Sequence, residues 1–355
     1  MMRYFKFVLI LLVLSSCVSN PGERTGKTVG LRGEKVAIDS DASLFEIVYV
    51  DDSLLIASVL SPSYKLASYR IGSNGKPYEF LGVGRGPMEV MYANIISSDD
   101  TLLVLSYTPS GLQELIKIPV SGIYDMSRWK STDFSDVTGI SIGCNFDVLP
   151  SYDYIMPGGK FGSEIVLSVL SEKNSSCTSL PFWPEDGRDI ASITRQIMYT
   201  RGSRVFCNKN KVLYACGEGR YFSILDLSSG NVTETVIYDE YPEYKVARDG
   251  VNPERSPESV LGGISYATDS LIFLCPLDCR IVNGKYVPED YKGYPPYYSD
   301  RIEVYNWDGE YICSYVTDVP FSTFYVKGSD IYTLTINKET FLSEVYRYSC
   351  QTPQI

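Results

Sequence analysis

The sequence predicts an all-β protein, a six-bladed β-propeller with four-stranded antiparallel blades. The first observation is a tripeptide, Asp-Ser-Leu or Asp-Thr-Leu, which occurs three times and has three looser copies, each opening a β-prone run. The six copies begin at Asp52, Asp100, Tyr152, Lys211, Asp269 and Ser329. A repeat with a period of roughly 50 residues is typical of folds in which each unit is one small supersecondary element.

The second observation is the pattern between the markers. Short runs rich in β-branched and aromatic residues, such as 45–50, 54–59 and 65–71, alternate with turn residues. Helical periodicity is absent over ten or more residues, apart from a possible short turn near 184–198. The repeats span about 310 residues, so each unit has about 52, which is the length of a four-stranded propeller blade.

The ends of the repeated region predict how the ring closes. The last β-prone run, 343–348, has no strand after it, whereas 34–39 is an extra run before the first blade. Pairing these two runs in the last blade would leave no open sheet edge. Because one blade cannot bury both of its faces alone, residues 34–350 are expected to form a single domain, followed by a C-terminal tail at 351–355.

The N-terminus carries an export signal. Arg3 and Lys6 form a positive region, 7–14 is apolar, and the tetrapeptide Leu-Ser-Ser-Cys ends at Cys17. An apolar run this short is typical of a signal peptide, expected at 1–16, since a transmembrane helix needs about 20 apolar residues. The tetrapeptide resembles the lipobox of bacterial lipoproteins, which implies cleavage before Cys17 and acylation of that cysteine. The alternative is an ordinary secretory signal.

Charge and composition exclude several classes of partner. Residues 17–33 are expected to be a lipidated N-terminus and tether. Removal of the predicted signal peptide takes away Arg3 and Lys6, which leaves 30 basic and 43 acidic side chains and a net charge of −13. Such a surface repels nucleic acid and anionic headgroups, so neither is expected as a partner, and membrane contact is expected through the lipid alone. The eight cysteines besides Cys17 allow disulfides, but the pattern favours several of them as buried small apolar side chains on strands.

The sequence offers little support for a catalytic site. The chain has no histidine, so Gly139-Ile-Ser-Ile-Gly143 lacks the base that a nucleophile elbow needs. No dinucleotide or phosphate-binding glycine pattern is followed by a helix, and the cysteines do not have zinc-site spacing. We therefore assign no catalytic residue, no cofactor and no metal site from the sequence.

A glycine-rich segment between the first two blades links the chain to a family. Residues 81–89 read Leu-Gly-Val-Gly-Arg-Gly-Pro-Met-Glu. This resembles the Gly-Arg-Gly-Pro-x-Glu signature of the TolB-like six-bladed propeller lipoproteins of Bacteroidota. The resemblance implies the propeller fold and a lipid anchor, with the protein held in the cell envelope at the outer membrane. Arg85 is expected either to form an ion pair with Glu89 at a rigid corner or to contact an anion from the central channel.

Two insertions interrupt the repeat, at 238–260 and 279–299, and loops this long are usually functional or mobile. The second is rich in tyrosine and proline, and tyrosines often carry binding energy at interfaces. The predicted ligand-binding residues are Tyr291, Tyr294, Tyr297, Tyr298 and Arg85. This pattern favours a non-enzymatic module that binds a glycan, a peptide or an envelope protein. The alternative is a metal-dependent hydrolase or lyase with carboxylates converging on the propeller axis.

Overall fold

A computed structural model describes residues 26–39, 43–73, 75–151, 153–229 and 231–350. The predicted signal peptide (1–16), Cys17, the first part of the tether (18–25) and the C-terminal tail (351–355) lie outside the described residues. No helix in the described ranges is long and apolar enough to cross a membrane.

The first half of the described chain contains fifteen strands. Two come first, β1 (Lys27–Leu31) and β2 (Glu34–Lys35). Blade one consists of β3 (Leu44–Val50), β4 (Leu54–Val59), β5 (Tyr64–Arg70) and β6 (Tyr78–Gly82). Blade two consists of β7 (Tyr92–Ser98), β8 (Thr101–Thr108), β9 (Gly111–Pro119) and β10 (Lys130–Asp133), with short 3₁₀ helices at Val120–Gly122 and Met126–Arg128. Blade three has a divided inner strand, β11 (Ile140–Ile142) and β12 (Asp147–Val148), then β13 (Tyr154–Lys160), β14 (Leu167–Ser171) and β15 (Ser176–Leu180).

The second half adds three more blades, one helix and two hairpins. Helix α1 (Ser192–Thr200) precedes blade four, which consists of β16 (Arg204–Asn208), β17 (Lys211–Ala215), β18 (Tyr221–Asp226) and β19 (Thr233–Asp239). The hairpin of β20 (Tyr244–Val246) and β21 (Pro253–Arg255) follows. Blade five starts with β22 (Gly263–Ala267) and β23 (Leu271–Pro276), is interrupted by the hairpin of β24 (Arg280–Val282) and β25 (Lys285–Val287), and resumes with β26 (Ser299–Asn306) and β27 (Tyr311–Phe321). Blade six consists of β28 (Thr323–Lys327), β29 (Asp330–Ile336), β30 (Ser343–Ser349) and the early strand β2.

The predicted six-bladed propeller is confirmed. Each blade is an antiparallel meander whose first strand lies innermost, and these inner strands contact one another around the axis. The six sequence markers all stand where the second strand of a blade begins, at β4, β8, β13, β17, β23 and β29. The marker is thus a turn that leads into a buried strand: the Asp51 carboxylate accepts hydrogen bonds from the backbone N–H groups of Ser53 and Leu54.

The core consists of apolar layers between neighbouring blades. On β8, Leu102 and Val104 pack with residues of blade one, whereas Leu103 and Leu105 pack with residues of blade three. Successive side chains of a strand point to opposite faces of the sheet, so each buried strand serves two layers. Six such layers occur among the described residues, one for each pair of adjacent blades, which makes the ring one cooperative unit.

The predicted closure of the ring is also observed. Strand β2 pairs antiparallel with β30, with Lys35 opposite Tyr346. The backbone N–H of Val36 then donates to the carbonyl of Val345 at 2.8 Å. The paired stretch is shorter than the predicted 34–39, because the chain leaves blade six and Ile38 forms a bridge to blade one.

One part of the predicted tether is a strand of the domain. Strand β1 lies parallel to β27, with Lys27 opposite Cys313 and Leu31 opposite Thr317. Leu31 is 8% exposed and belongs to the layer between blades five and six. The strand forms because β27, eleven residues long, has an outer edge that β1 can pair with. The folded domain therefore begins at β1, earlier than the expected boundary at residue 34.

The meander sorts the loops onto two faces. Connections between blades, and loops between the second and third strands of a blade, lie on one face, which we call the insertion face. It carries α1 and both hairpins, β20–β21 and β24–β25. The other two kinds of turn, including those with the repeated tripeptide, lie on the opposite face.

Candidate functional site

The second insertion brings the four predicted tyrosines together on the insertion face. The ring of Tyr298 stacks on that of Tyr294 at 5.5 Å between centroids and meets that of Tyr297 at 5.4 Å. Tyr291 and Tyr294 exchange backbone hydrogen bonds of 2.9 and 3.0 Å. The tyrosines thus form one cluster.

Most of this cluster packs on its own domain. Tyr298 is 5% exposed, and the Tyr291 hydroxyl donates to Asp300 at 2.6 Å. The ammonium group of Lys338 lies 4.0 Å from the centroid of the Tyr294 ring. Tyr297, 41% exposed, is therefore the member of the four that presents most surface to solvent.

The glycine-rich segment between β6 and β7 forms one wall of a groove. The Glu89 carboxylate accepts a hydrogen bond from the backbone N–H of Gly86 at 2.8 Å. A Cβ atom at Gly84 or Gly86 would lie 2.0 or 2.9 Å from the same carboxylate oxygen, so a side chain at either position would displace the Glu89 carboxylate from the loop. The motif thus builds a tight corner, as the sequence suggested.

The position of Arg85 differs from both of the expectations drawn from the sequence. Within the described ranges, its guanidinium group forms no ion pair with Glu89, because that carboxylate is held by the backbone of the loop itself. Arg85 is exposed and faces the groove between its own loop and blade two, not the central channel. It is consequently free to contact a ligand.

This groove, which we call the Arg85 groove, has a volume of about 670 Å³. The residues that line it are Gly84, Arg85, Gly86, Glu89, Met91, Tyr92, Ser106, Tyr107, Thr108, Pro109, Ser110, Gln113 and Glu114. The rings of Tyr92 and Tyr107 stack at 5.8 Å and an interplanar angle of 22°. Tyr92 is 48% exposed, whereas burial raises the pKa of Tyr107 above its usual range and keeps its hydroxyl protonated.

Sequence reasoning found Arg85 but missed its neighbours. Tyr92 is the first residue of the inner strand of blade two and Tyr107 is the last but one of the next strand, so both reach the insertion face and are cross-strand partners. Paired tyrosines at the ends of two strands could have been recognised once the register was known, but the register follows from the fold.

The central channel is a second polar site. It contains a cavity of about 110 Å³ to which every blade contributes. One representative from each blade, in chain order, is Glu46, Ser97, Asp147, Arg204, Tyr266 and Tyr325. Several of these side chains form hydrogen bonds with the backbone of the inner strand of the adjacent blade. Ser97 donates to the Val48 carbonyl at 2.7 Å, and Asp147 accepts from the Cys207 N–H at 2.5 Å.

An ion pair crosses this channel. Glu46 lies on blade one and Arg204 on blade four, which stand opposite each other in a ring of six. Their side chains are 25% and 23% exposed, and the Glu46 carboxylate helps to raise the pKa of Arg204. The pair ties opposite sides of the ring together and occupies the space along the axis.

The Asp147 carboxyl lies deep in the channel and has no cationic partner among the described residues. Burial raises its pKa from 3.8 to about 6, although hydrogen bonds from the N–H groups of Cys207 and Val148 oppose the shift. A nearby carboxylate, Asp269, raises it further. The ionised form is therefore costly to the folded state at neutral pH.

We expect Asp147→Asn to gain stability relative to the wild type as the pH rises to 7.5, because the amide carries no charge. Its single oxygen keeps only one of the two backbone hydrogen bonds that the two carboxylate oxygens accept, a cost that does not depend on pH. The pKa of Asp147 is about 6 in the folded protein, against 3.8 for an ordinary aspartate, so the folded wild type binds the proton more readily than the unfolded chain does. The stability of the variant relative to the wild type should thus rise by about 3 kcal/mol between pH 4 and pH 7.5. Denaturant titrations of both proteins from pH 4 to 8 measure this difference. A difference that does not change with pH would contradict it.

The channel does not have the arrangement that the hydrolase alternative requires. Within the described ranges, no three Cys, Asp or Glu side chains come close enough to hold a metal ion. Glu46 is already paired with Arg204, which leaves Asp147 as the acidic group without a cation in the cavity.

Comparisons with known proteins identify the fold alone. No family model and no curated protein matches the sequence. The structure is similar to that of a member of the DUF4221 family from Bacteroides vulgatus, with a TM-score of 0.52 and 10% identity over 90% of this chain and 95% of that one. At this identity the similarity concerns the fold and does not assign a function.

Two further structures show weaker similarity. One is the calcium-binding protein regucalcin from Agrobacterium tumefaciens, with a TM-score of 0.46 and 13% identity over 92% of this chain and 98% of that one. The other is an auxiliary nutrient binding protein from Bacteroides thetaiotaomicron, with a TM-score of 0.46 and 6% identity over 87% of this chain and 70% of that one. These similarities are too distant to support an argument about ligands.

Proposed function

We propose that this protein is a non-enzymatic binding module of the cell envelope, which takes its ligand in the Arg85 groove. The observation that carries the proposal is the free guanidinium group of Arg85 beside the stacked pair Tyr92 and Tyr107 in an open groove of about 670 Å³. Sites for small ligands have volumes of roughly 300–1,000 Å³ and combine aromatic walls with a few convergent polar groups. Tyr297 and its neighbours offer a second contact surface on the same face.

The lipobox and the glycine-rich motif support the finer part of this proposal. Both resemble features of the TolB-like six-bladed lipoproteins, and the resemblance implies that Cys17 is the lipidated residue of this chain. In this reading the chain is anchored to the outer membrane by its lipid, and its partner is a glycan, a peptide or another envelope protein. The hydrolase or lyase alternative has no specific observation in its favour.

The anchor predicts a simple fractionation result. Cys17→Ala removes the thiol that would be acylated at this lipobox, so the variant should move from the membrane fraction to the soluble fraction. Sedimentation after a high-salt wash, which removes proteins held by charge alone, measures this. The lipoprotein assignment fails if the variant still sediments with membranes.

The groove is tested with paired arrays, one printed with oligosaccharides and one with peptides, probed with labelled soluble protein. We expect a reproducible set of signals that the double variant Arg85→Ala/Tyr92→Ala loses by tenfold or more. Both residues are exposed, so their removal should leave the melting temperature within a few degrees of the wild type.

A matched control is available on the opposite face. Tyr78 and Tyr124 form another exposed aromatic pair, with ring centroids 4.6 Å apart. The double variant Tyr78→Ala/Tyr124→Ala should retain all array signals. If both double variants behave alike, the groove is not the binding site.

A further inference from the structure

The wall of the Arg85 groove offers a flat aromatic surface. Tyr92 and Tyr107 are nearly parallel, and each carries a hydroxyl group at the end of an apolar ring. Large, rigid side chains of this kind provide contact area at a low cost in conformational entropy. A sugar ring in its chair form is matched to such a wall, because it presents a face of C–H groups surrounded by hydroxyls.

The polar groups around the aromatic pair include both donors and acceptors. Arg85 can only donate and the Glu114 carboxylate can only accept, whereas a sugar hydroxyl does both. The Gln113 amide donates to the Leu112 carbonyl at 2.7 Å, which leaves its oxygen as a further acceptor. Within the described ranges, Glu114 forms no ion pair, so its carboxylate is not committed to another side chain.

The groove is lined by one cationic and two anionic side chains, so it offers no excess of positive charge to a ligand. Glu89 is held by the backbone of its own loop, and the remaining Arg85 and Glu114 carry opposite charges. An anionic ligand would gain Arg85 but would approach two carboxylates on a protein of net charge −11. The balance favours a ligand without charge.

A peptide is a poorer match to the same wall. Peptides often bind by adding a strand to an open sheet edge, through backbone hydrogen bonds. The wall contains the ends of β7, β8 and β9. Strands β8 and β9 are paired on both sides, and the open edge of β7, the innermost strand of the blade, faces the axis of the ring. Neither β8 nor β9 therefore offers a peptide a free edge in the groove.

We propose that the Arg85 groove binds a neutral saccharide, with Tyr92 and Tyr107 stacking on a sugar ring and Arg85, Gln113 and Glu114 contacting its hydroxyls. This inference rests on the proposed function, since it names the ligand class of the same groove. It makes two claims that can be separated: the ligand is a saccharide, and it carries no charge.

The experiment uses the soluble protein beginning after Cys17 and an array of neutral, uronate-containing, sialylated and sulfated oligosaccharides. The strongest hit is then titrated by calorimetry at about 50 and 500 mM NaCl. We expect hits among the neutral oligosaccharides and affinities that agree within about twofold at the two salt concentrations, because screening does not act on an uncharged ligand. Tyr107→Ala should weaken binding at least tenfold, and Glu114→Gln by a smaller factor.

Two controls keep the result interpretable. Tyr124→Ala, on the opposite face, should bind as the wild type does. Should Tyr107→Ala lower the melting temperature, because that ring is partly buried, the exposed Tyr92→Ala replaces it. Hits confined to acidic glycans, with affinity that falls steeply with salt, would overturn the claim of a neutral ligand.

The remaining outcomes separate this inference from the proposed function. Binding of peptides alone, lost on changing Tyr92, overturns the saccharide and leaves the groove as a binding site. If no probe depends on Tyr92, Tyr107 or Arg85, both proposals fall together.

Discussion

Replacing Arg204 by methionine should destabilise the protein by about 3 kcal/mol, because Glu46 would be left as an unpaired charge inside the channel. The two side chains are each about three-quarters buried and bridge blades one and four. The loss should appear as a lower denaturant midpoint with an unchanged slope, since the surface exposed on unfolding stays the same.

A double-mutant cycle isolates this effect. Glu46→Gln combined with Arg204→Met removes both charges and should recover most of the lost stability, whereas either single change is costly. Lys35→Met is the matched control: it breaks an ion pair with Glu344 in which the lysine is 57% exposed, and it should cost less than about 1 kcal/mol. Equal losses of stability for Arg204→Met and Lys35→Met would show that breaking the buried channel pair costs no more than breaking an exposed ion pair.

A second large effect is expected from removing residues up to 39. This deletes β1 and β2, exposes the outer edges of β27 and β30, and uncovers the layers that Leu31 and Val36 complete. Both side chains are 8% exposed, and burying two aliphatic side chains of this size stabilises a fold by roughly 3–6 kcal/mol. The truncated protein should melt lower and aggregate through its open edges.

The control is a truncation that starts at Gly26 and so retains both strands. It should match the longer protein in melting temperature and remain monomeric by size-exclusion chromatography. A protein lacking residues up to 39 that is equally stable and monomeric would mean that the ring closes without its N-terminal strands.

The fold was accessible from the sequence because its repeat is local. Each marker is a turn followed by a strand, and turn chemistry and two-residue alternation depend on neighbours along the chain. The pairing of 34–35 with the last run was also predictable, since the unpaired strands at the two ends of the repeat can close the ring by pairing with each other. Strand β1 was missed because residues 27–31, with a glycine and a lysine, have weak β-propensity and depend on the long edge of β27.

The site was less accessible because its groups come from distant positions. Glu46 and Arg204 are 158 residues apart, and nothing in either local sequence indicates the other. Arg85 was singled out by its motif, but an ion pair with Glu89 looked equally natural until the loop was seen to bind that carboxylate itself. Tyr92 and Tyr107 meet through cross-strand register, which a sequence pattern does not contain.

The course of β1 has a consequence for how the protein would stand on a membrane. Gly26 lies against Tyr311, at the start of β27 and so near the face opposite the insertions. Eight residues, 18–25, lie between Cys17 and Gly26, so the two are nine positions apart, and a fully extended chain covers about 3.3–3.6 Å per residue. If Cys17 carries the lipid, the domain is held within about 30 Å of the bilayer with its tripeptide turns toward the lipid. The Arg85 groove would then open outward, where a ligand can approach without passing between protein and membrane.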